Sequence, residues 1–473
     1  MAKTNAELIY KPNKGYVMAI TLVATLGGLL FGYDTAVISG AVGSLNSFFI
    51  APLHLSELEA NSLLGFMISS ALIGCIVGGI IAGIVSQKFG RKKGLILSAL
   101  LFTIAAIGSA YPETFNITSM PDLYSFIFFR IIGGIGVGLA SMMSPMYIAE
   151  IAPAHSRGSL VSWNQFAIIF GMLIIYFVNY FIARQGDTAW NISTGWRFMF
   201  LSGVIPALLF LVLLFFVPES PRWLALKNRN KEALGILSRI GGPEHAASEM
   251  KEIEVSVVEE KGRMFSYGGL IIVIGILLSV FQQFVGINVV LYYAPEIFKN
   301  MGSGTDSALM QTILVGIINL AFTVLAIFTV DHFGRKPLMI IGALGMAVAM
   351  IWLGSTFYFE KLGISSLLCM LAYTAFFAMS WGPVTWVLLS EIFPNKIRWV
   401  MSIAVAAQWI ANLVVSWTFP VMDKSSALNN AFHHGFAYWI YGAMGLLAAF
   451  FMWKFVPETK GKSLEEMSKL WKK

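Results

Sequence analysis

Two ionisable residues lie deep inside apolar stretches of the sequence, Asp34 and Arg130. A carboxylate or a guanidinium in such a run needs a partner, since neither is tolerated alone in hydrocarbon. At 1.5 Å per helical residue, Asp34 stands about 27 Å up the first run. Arg130 stands about seven residues down the fourth, which travels the opposite way, so both reach similar depth in the outer half. Paired, the two neutralise each other; parted, the carboxylate takes a proton. Such chemistry lets a proton gradient bias a movement, the alternative being a static structural ion pair. A second polar group, Gln282, Gln283 and Asn288, shares one otherwise apolar run. Amides placed there either glue helices together or present donors and acceptors to a ring of hydroxyls.

A third set of residues recurs. Phe89-Gly90-Arg91-Lys92 returns as Phe333-Gly334-Arg335-Lys336, 244 positions on. Glu150, Pro153 and Arg157 return as Glu391, Pro394 and Arg398, each 241 on, and Pro218-Glu219-Ser220 returns as Pro457-Glu458-Thr459, 239 on. Recurrence in one order at a nearly constant offset implies a duplicated unit. Halves related about a membrane normal hold a substrate between them near the midplane, where rocking exposes it alternately. Glu150, Arg157, Arg91, Glu391, Arg398 and Arg335 all fall at helix ends on one side. They are read as gating charges that pair across the two bundles when that side is closed.

The elements that position these residues are apolar runs long enough to cross a bilayer. They are read at 17–42, 62–85, 94–111, 123–146, 164–184 and 197–217, then at 268–292, 309–330, 337–357, 364–390, 400–422 and 436–456. Only 12% of residues are charged and the mean hydropathy is +0.74, too little charge for a water-facing surface of this size. The expected fold is therefore all-α and polytopic, twelve transmembrane helices in two six-helix bundles. The first bundle covers 1–217 and the second, with a short tail, 268–473. A polar linker at 218–267 carries the mixed charge of short cytoplasmic helices. Of 32 Lys and Arg, 26 fall in the tails and in connections on the terminus side, which puts both termini in the cytoplasm. That distribution also accounts for the net charge of +7 without a nucleic-acid partner. Cys75 and Cys369 sit in opposite halves, so no disulfide or metal spacing is expected, and the first run is too long for a signal peptide.

The recurring motifs, together with Pro221-Arg222, Lys460-Gly461, Gln282 to Asn288, Leu30 to Asp34 and Ala406 to Trp409, resemble the signatures of the sugar porter family of the major facilitator superfamily. The likeness runs from Thr21 to about Leu464, and within the family it points to bacterial proton-coupled D-xylose symporters. It implies the major facilitator fold and sugar contacts at Gln165, Gln282, Gln283, Asn288, Trp386, Gln408 and Trp409, with Asn319 nearby. It also implies specificity positions at Phe31 and Met172, and a proton as coupling ion with no cofactor. Indole faces would cover the sugar's apolar C–H surface. The position of Asp34 is Asn in the family's animal glucose facilitators, which favours symport.

The chain departs from the family pattern in three places. Gln87 replaces a usual Asp that Asp331 keeps in the second half. Trp399 follows Arg398 where Gly is usual, and Met172 stands where the compared xylose symporters have Gln. The expected function is sugar import with protons, D-xylose first. A hexose symporter and an uncoupled facilitator are the alternatives, and a membrane sugar sensor is the alternative of another class. An enzyme is not expected, because His155, His332, His433 and His434 fall in loops or at helix ends. The resemblance implies a monomer in a bacterial inner membrane, with the sugar and the lipid bilayer as partners.

Overall fold

The structure, a computed structural model, describes residues 13–114, 122–153, 156–257, 266–393 and 400–460. Among them twelve helices are long and apolar enough to cross a membrane. The first six are α1 (Lys14–Leu53), α2 (Glu57–Phe89), α3 (Arg91–Ala110), α4 (Asp122–Ile151), α5 (Arg157–Ala183) and α6 (Thr188–Leu214). Three short helices follow, Pro221–Leu226, Asn230–Gly241 and Pro243–Val257. Then come α7 (Leu270–Asn300), α8 (Thr305–Phe333), α9 (Arg335–Tyr358), α10 (Ile364–Ile392), α11 (Met401–Asp423) and α12 (Gly435–Phe455).

Every expected run is a helix, and several extend beyond it because polar caps carry the helix into the connections. Ser56 and Glu59 form a capping box that starts α2 five residues before 62, satisfying otherwise orphaned N–H groups. Asn13 accepts from the Tyr16 N–H at 3.1 Å to start α1. At its other end α1 runs on through a wide turn, Asn46–Ile50, to Leu53.

The repeat seen in the sequence is a repeat of packing. In the first half α1 lies against α5, α2 against α4, and α3 against α6; in the second, α7 lies against α11, α8 against α10, and α9 against α12. Between halves α2 packs on α11 and α5 on α8. Those two contacts exchange under the same pairing of helices, as a two-fold axis between the halves requires.

The three short helices bury a small core of their own, with Trp223, Leu224, Leu237, Met250 and Ile253 among its members. The Trp223 indole donates to the Gln87 carbonyl at 3.0 Å, and the Ile240 carbonyl accepts from Asn13 N at the start of α1. This cluster is thereby fastened to the terminus side of the first half.

The two Gly-Arg-Lys turns are built alike. Gly90 (φ +99°) and Gly334 (φ +88°) sit in the left-handed region, and a Cβ there would press on the carboxylate of Glu219 or Glu458. Glu219 accepts from the N–H groups of Arg91 and Lys92, and Glu458 from those of Arg335 and Lys336. Each carboxylate thus caps the N-terminus of α3 or α9, where the helix dipole favours negative charge. Partial burial would raise the Glu458 carboxyl, but N–H groups of Lys460, Lys336, Arg335 and Thr459 outweigh it and hold the group below its ordinary range.

Candidate functional site

Helices that cross unbroken expose no backbone polar groups, so a break at mid-depth marks a place where the chain lines something. Two spans are broken near mid-depth. α7 is interrupted at Val285-Gly286, where Gly286 takes φ +93° and a Cβ would meet the Tyr441 ring at 2.7 Å. α10 is interrupted between Met379 and Pro383.

The amides foreseen in one apolar run meet at these breaks. Gln282 Nε2 donates to the Trp381 carbonyl at 2.8 Å, joining the end of one half-helix to the gap in another. Gln283 Nε2 donates to Gln282 Oε1 at 3.3 Å, and Asn288 Nδ2 donates to Gln283 Oε1. This chain fixes the amide orientations and leaves Asn288 Oδ1 and the second N–H of Gln283 for another molecule. The carbonyls freed by the breaks are satisfied too. Tyr373 donates to the Val285 carbonyl at 2.7 Å, and Thr385 to that of Trp381 at 2.7 Å.

The remaining expected sugar residues take separate positions. Gln165 on α5 and Trp386 on α10 are half-buried, and Gln165 makes no side-chain hydrogen bond among the described residues. Gln408 on α11 is buried with Oε1 unpartnered, and Asn319 on α8 is buried. Trp409 crosses the gap between halves to meet Phe31 of α1, ring centres 5.8 Å apart. Met172 is buried on α5 where α1 comes close, a Cβ at Gly32 falling 3.1 Å from Met172 N. By rise per residue, Gln165, Gln282, Asn319, Trp386 and Gln408 stand about 9–21 Å above the helix ends on the terminus side. That is the middle of a core about 30 Å thick.

Arg130 Nη1 reaches Asp34 Oδ1 at 3.2 Å, the pair expected from depth. Both guanidinium nitrogens also face the Asp34 carbonyl at 3.4 Å, and the guanidinium lies over the Phe200 ring. Asp34 Oδ2 is buried and takes no hydrogen bond. Among the described residues Arg130 is therefore the one group that stabilises the anion directly. Protonating an ordinary aspartate at pH 7 costs about 4 kcal/mol, while leaving a buried ion unpaired costs about 3–5 kcal/mol. The two are alike in size, so withdrawing Arg130 is enough to make the neutral acid competitive.

The gating charges, expected to pair across the bundles when the terminus side is closed, pair within each half in this structure. Arg91 grips Glu150 through two bonds of 2.8 Å, and Arg335 grips Glu391 at 2.9 and 3.2 Å. Each pair lies within one half, not across the two. The reason is topological: α3 begins where α4 ends, so their charged tips are neighbours in the same bundle. Ser220 and Thr459 donate to the same glutamates. Arg157 faces Glu249 of the third short helix at 3.7 Å. Arg398, Trp399 and His155 lie outside the described residues, as does the side chain of Asp331.

Several participants were not foreseen in these roles from the sequence. Glu219 and Glu458 were visible as repeats but not as helix caps. The Trp381 carbonyl is a backbone group. Asn412, buried one turn beyond Gln408, accepts from Ser416 at 3.0 Å and prolongs the polar face of α11, a pattern that four-residue spacing could have revealed.

The profile of the family described as "Sugar (and other) transporter" matches residues 20–471. The chain is 62% identical to the D-xylose-proton symporter of Escherichia coli (strain K12), over 97% of this chain and 96% of that one. It is 43% identical to the glucose facilitated diffusion protein of Zymomonas mobilis subsp. mobilis, over 97% and 98%. A solved inward open conformation of the xylose transporter XylE from E. coli superposes with a TM-score of 0.87, at 61% identity, over 96% of this chain and all of that one.

Proposed function

Because the chain belongs to the sugar porters of the major facilitator superfamily, we propose that it imports D-xylose together with protons by alternating access. The observation that carries this reading is the buried Asp34–Arg130 pair in a chain so alike, end to end, to a D-xylose-proton symporter. The sugar lies between the halves. It takes the free valences of Gln283 and Asn288, is met from the same half by Asn319 and Gln408 and from across the gap by Gln165, and is covered by Trp386 and Trp409, with Phe31 and Met172 shaping the wall. Protonated Asp34 releases Arg130, and the loss of that tie lets the halves rock.

Each proton moving inward gains about 2.3 kcal/mol per 100 mV of membrane potential, enough for roughly 40-fold accumulation of a neutral sugar. The terminus side, with its basic connections, faces the cytoplasm of a bacterial cell whose inner membrane holds the protein as a monomer. The within-half pairs at Arg91 and Arg335 then fix the cytoplasmic ends of each bundle. The proton is the coupling ion, no cofactor or nucleic acid takes part, and no bond of the sugar is made or broken.

The buried thioether of Met172 favours a second reading, a hexose as substrate, since it offers no donor where an amide would. Radiolabelled D-xylose uptake into energised vesicles, with D-glucose in competition and with or without a protonophore, decides. Accumulation that the protonophore abolishes supports symport. Equilibration that ignores the protonophore leaves an uncoupled facilitator, and uptake of glucose alone moves the substrate to hexose.

A further inference from the structure

A small cavity of about 10 Å³ lies against Asp34. Leu30, Tyr33, Asp34 and Val37 of α1 line it, facing Phe102 and Ala106 of α3 and Phe200 and Gly203 of α6. Its volume is at the lower edge of what a single water needs. The four α1 residues follow i, i+3, i+4, i+7 spacing and form one stripe. Phe31, which meets Trp409 across the gap, points roughly a third of a turn away from the centre of that stripe. The cavity thus belongs to the interior of the first half and lies apart from the amide site.

Its polar lining side chains are those of Tyr33 and Asp34, and Ser202 is the hydrogen-bond partner of Tyr33. Tyr33 Oη and Ser202 Oγ are 2.8 Å apart, and Ser202 donates its own proton to the Met199 carbonyl at 2.6 Å. A hydroxyl has one proton, so Tyr33 is the donor in the shared bond and its oxygen keeps lone pairs. A water here therefore has two partners, the Asp34 carboxylate and the Tyr33 oxygen, within an otherwise apolar wall. Asp34 retains 14% side-chain exposure while Arg130 retains 2%. At Gly203 a Cβ would meet Phe200 O at 3.3 Å and Ala106 Cβ at 3.6 Å. A β-carbon there needs the Phe200 carbonyl to give by a few tenths of an ångström, and a branched side chain would enter the cavity.

We infer that this cavity is the hydration site through which the proton reaches Asp34, held by the Tyr33–Ser202 hydroxyl pair and separate from the sugar's path. The inference rests on the proton-coupled reading above. In the step, a protonated water from the outer solution gives one proton to a carboxylate oxygen of Asp34. An O–H bond forms there, a neutral water remains, and Arg130 keeps its own proton and charge. No other reactant is needed. Tyr33 and Ser202 act as positioning residues, because they orient the water and do not touch the sugar.

The test compares wild type, Tyr33→Phe and Gly203→Val in reconstituted vesicles. One assay records alkalinisation of the outer medium when D-xylose is added; the other records counterflow of labelled D-xylose, which needs no net proton movement. Both variants are expected to slow alkalinisation about tenfold, the scale of one lost proton-transfer aid, with counterflow at the wild-type rate. The pH of half-maximal uptake in Tyr33→Phe should also move to lower pH. Unchanged alkalinisation in both variants, or equal loss of alkalinisation and counterflow in both, overturns the inference. If Gly203→Val alone loses counterflow, the near-isosteric Tyr33→Phe decides. A wild type that moves D-xylose without alkalinisation overturns the symport reading itself, a failure distinct from that of the cavity.

Discussion

Gln282 and Gln165 are the same residue type with different burdens. Gln282 closes the gap in α10 through the Trp381 carbonyl and accepts from Gln283 Nε2, so truncation removes an expected sugar contact together with two hydrogen bonds of the fold, each worth about 0.5–1.5 kcal/mol. Gln165 makes no such bond. Gln282→Ala is therefore expected to lower both D-xylose affinity and the unfolding temperature, and Gln165→Ala affinity alone, each by about tenfold for a lost amide bond. Calorimetric titration and thermal unfolding of the two purified variants check the contrast. Met172 is tested by restoring an amide: Met172→Gln should raise preference for D-xylose over D-glucose several-fold in competition uptake. Asp34→Asn should exchange sugar but no longer accumulate it, since an amide cannot carry the proton. Wild-type accumulation by that variant would remove Asp34 from the coupling step.

At the scale of elements, the breaks in α7 and α10 separate what the sequence shows from what it conceals. Hydropathy marks the spans because each must bury or expose some twenty apolar residues, and the repeated Glu, Arg and Pro mark their ends. Gly286 was legible only as part of a motif, since the ring that excludes a side chain there is Tyr441 from α12, a contact 155 residues away. The pairing of Arg91 with Glu150 was illegible for a like reason. Charges at helix tips show which side of the membrane they occupy, not which neighbour the packing gives them.

One further junction, beyond the ends of α11 and α7, was read as loop histidines. There Asp423 accepts two bonds from Asn300 and one from His434, at 3.1 to 3.2 Å. Phe357 of α9 lies beside the imidazole, and Tyr438 stacks on Phe357. His433 faces Glu360 at 3.1 Å, Asn429 donates to the Asp423 carbonyl, and Tyr293 and Tyr441 also feel the Asp423 charge. The hydrogen bond to Asp423 raises the His434 pKa, more than burial lowers it. Its stabilisation is thus complete below about pH 6.5, the ordinary value, and is lost as pH rises through the folded value. His434→Gln should lower the unfolding temperature in acid and converge with wild type in alkali. A deficit independent of pH would remove the titration from the account.

For the whole molecule, the direction in which the halves are closed follows from where their mutual contacts lie. Tyr176 of α5 donates to the Leu291 carbonyl of α7 at 2.9 Å, and Trp417 of α11 donates to the Ser62 carbonyl of α2 at 3.0 Å. Glu57, at the start of α2, accepts from the backbone and hydroxyl of Ser426. All three are on the side away from the termini, whereas the described charge pairs on the terminus side stay within a half or reach the short helices. Residues of ordinary type, meeting mostly backbone groups, make this clasp, which is why no motif announced it. The arrangement agrees with the superposition on an inward open transporter. Rocking to the opposite state must break the Tyr176 bond, which is buried in both partners. Tyr176→Phe leaves the Leu291 carbonyl unsatisfied in the closed-clasp state only, at about 1–3 kcal/mol, or roughly 5- to 150-fold in the ratio of the two states. Spin-label distances across the far ends of α2 and α11 should lengthen in the variant without sugar. D-xylose should then bind more tightly from the far side, by the same factor that the population has moved. An unchanged distance distribution would mean that the clasp is held by packing of α2 on α11 and α5 on α8, with this hydrogen bond a passenger.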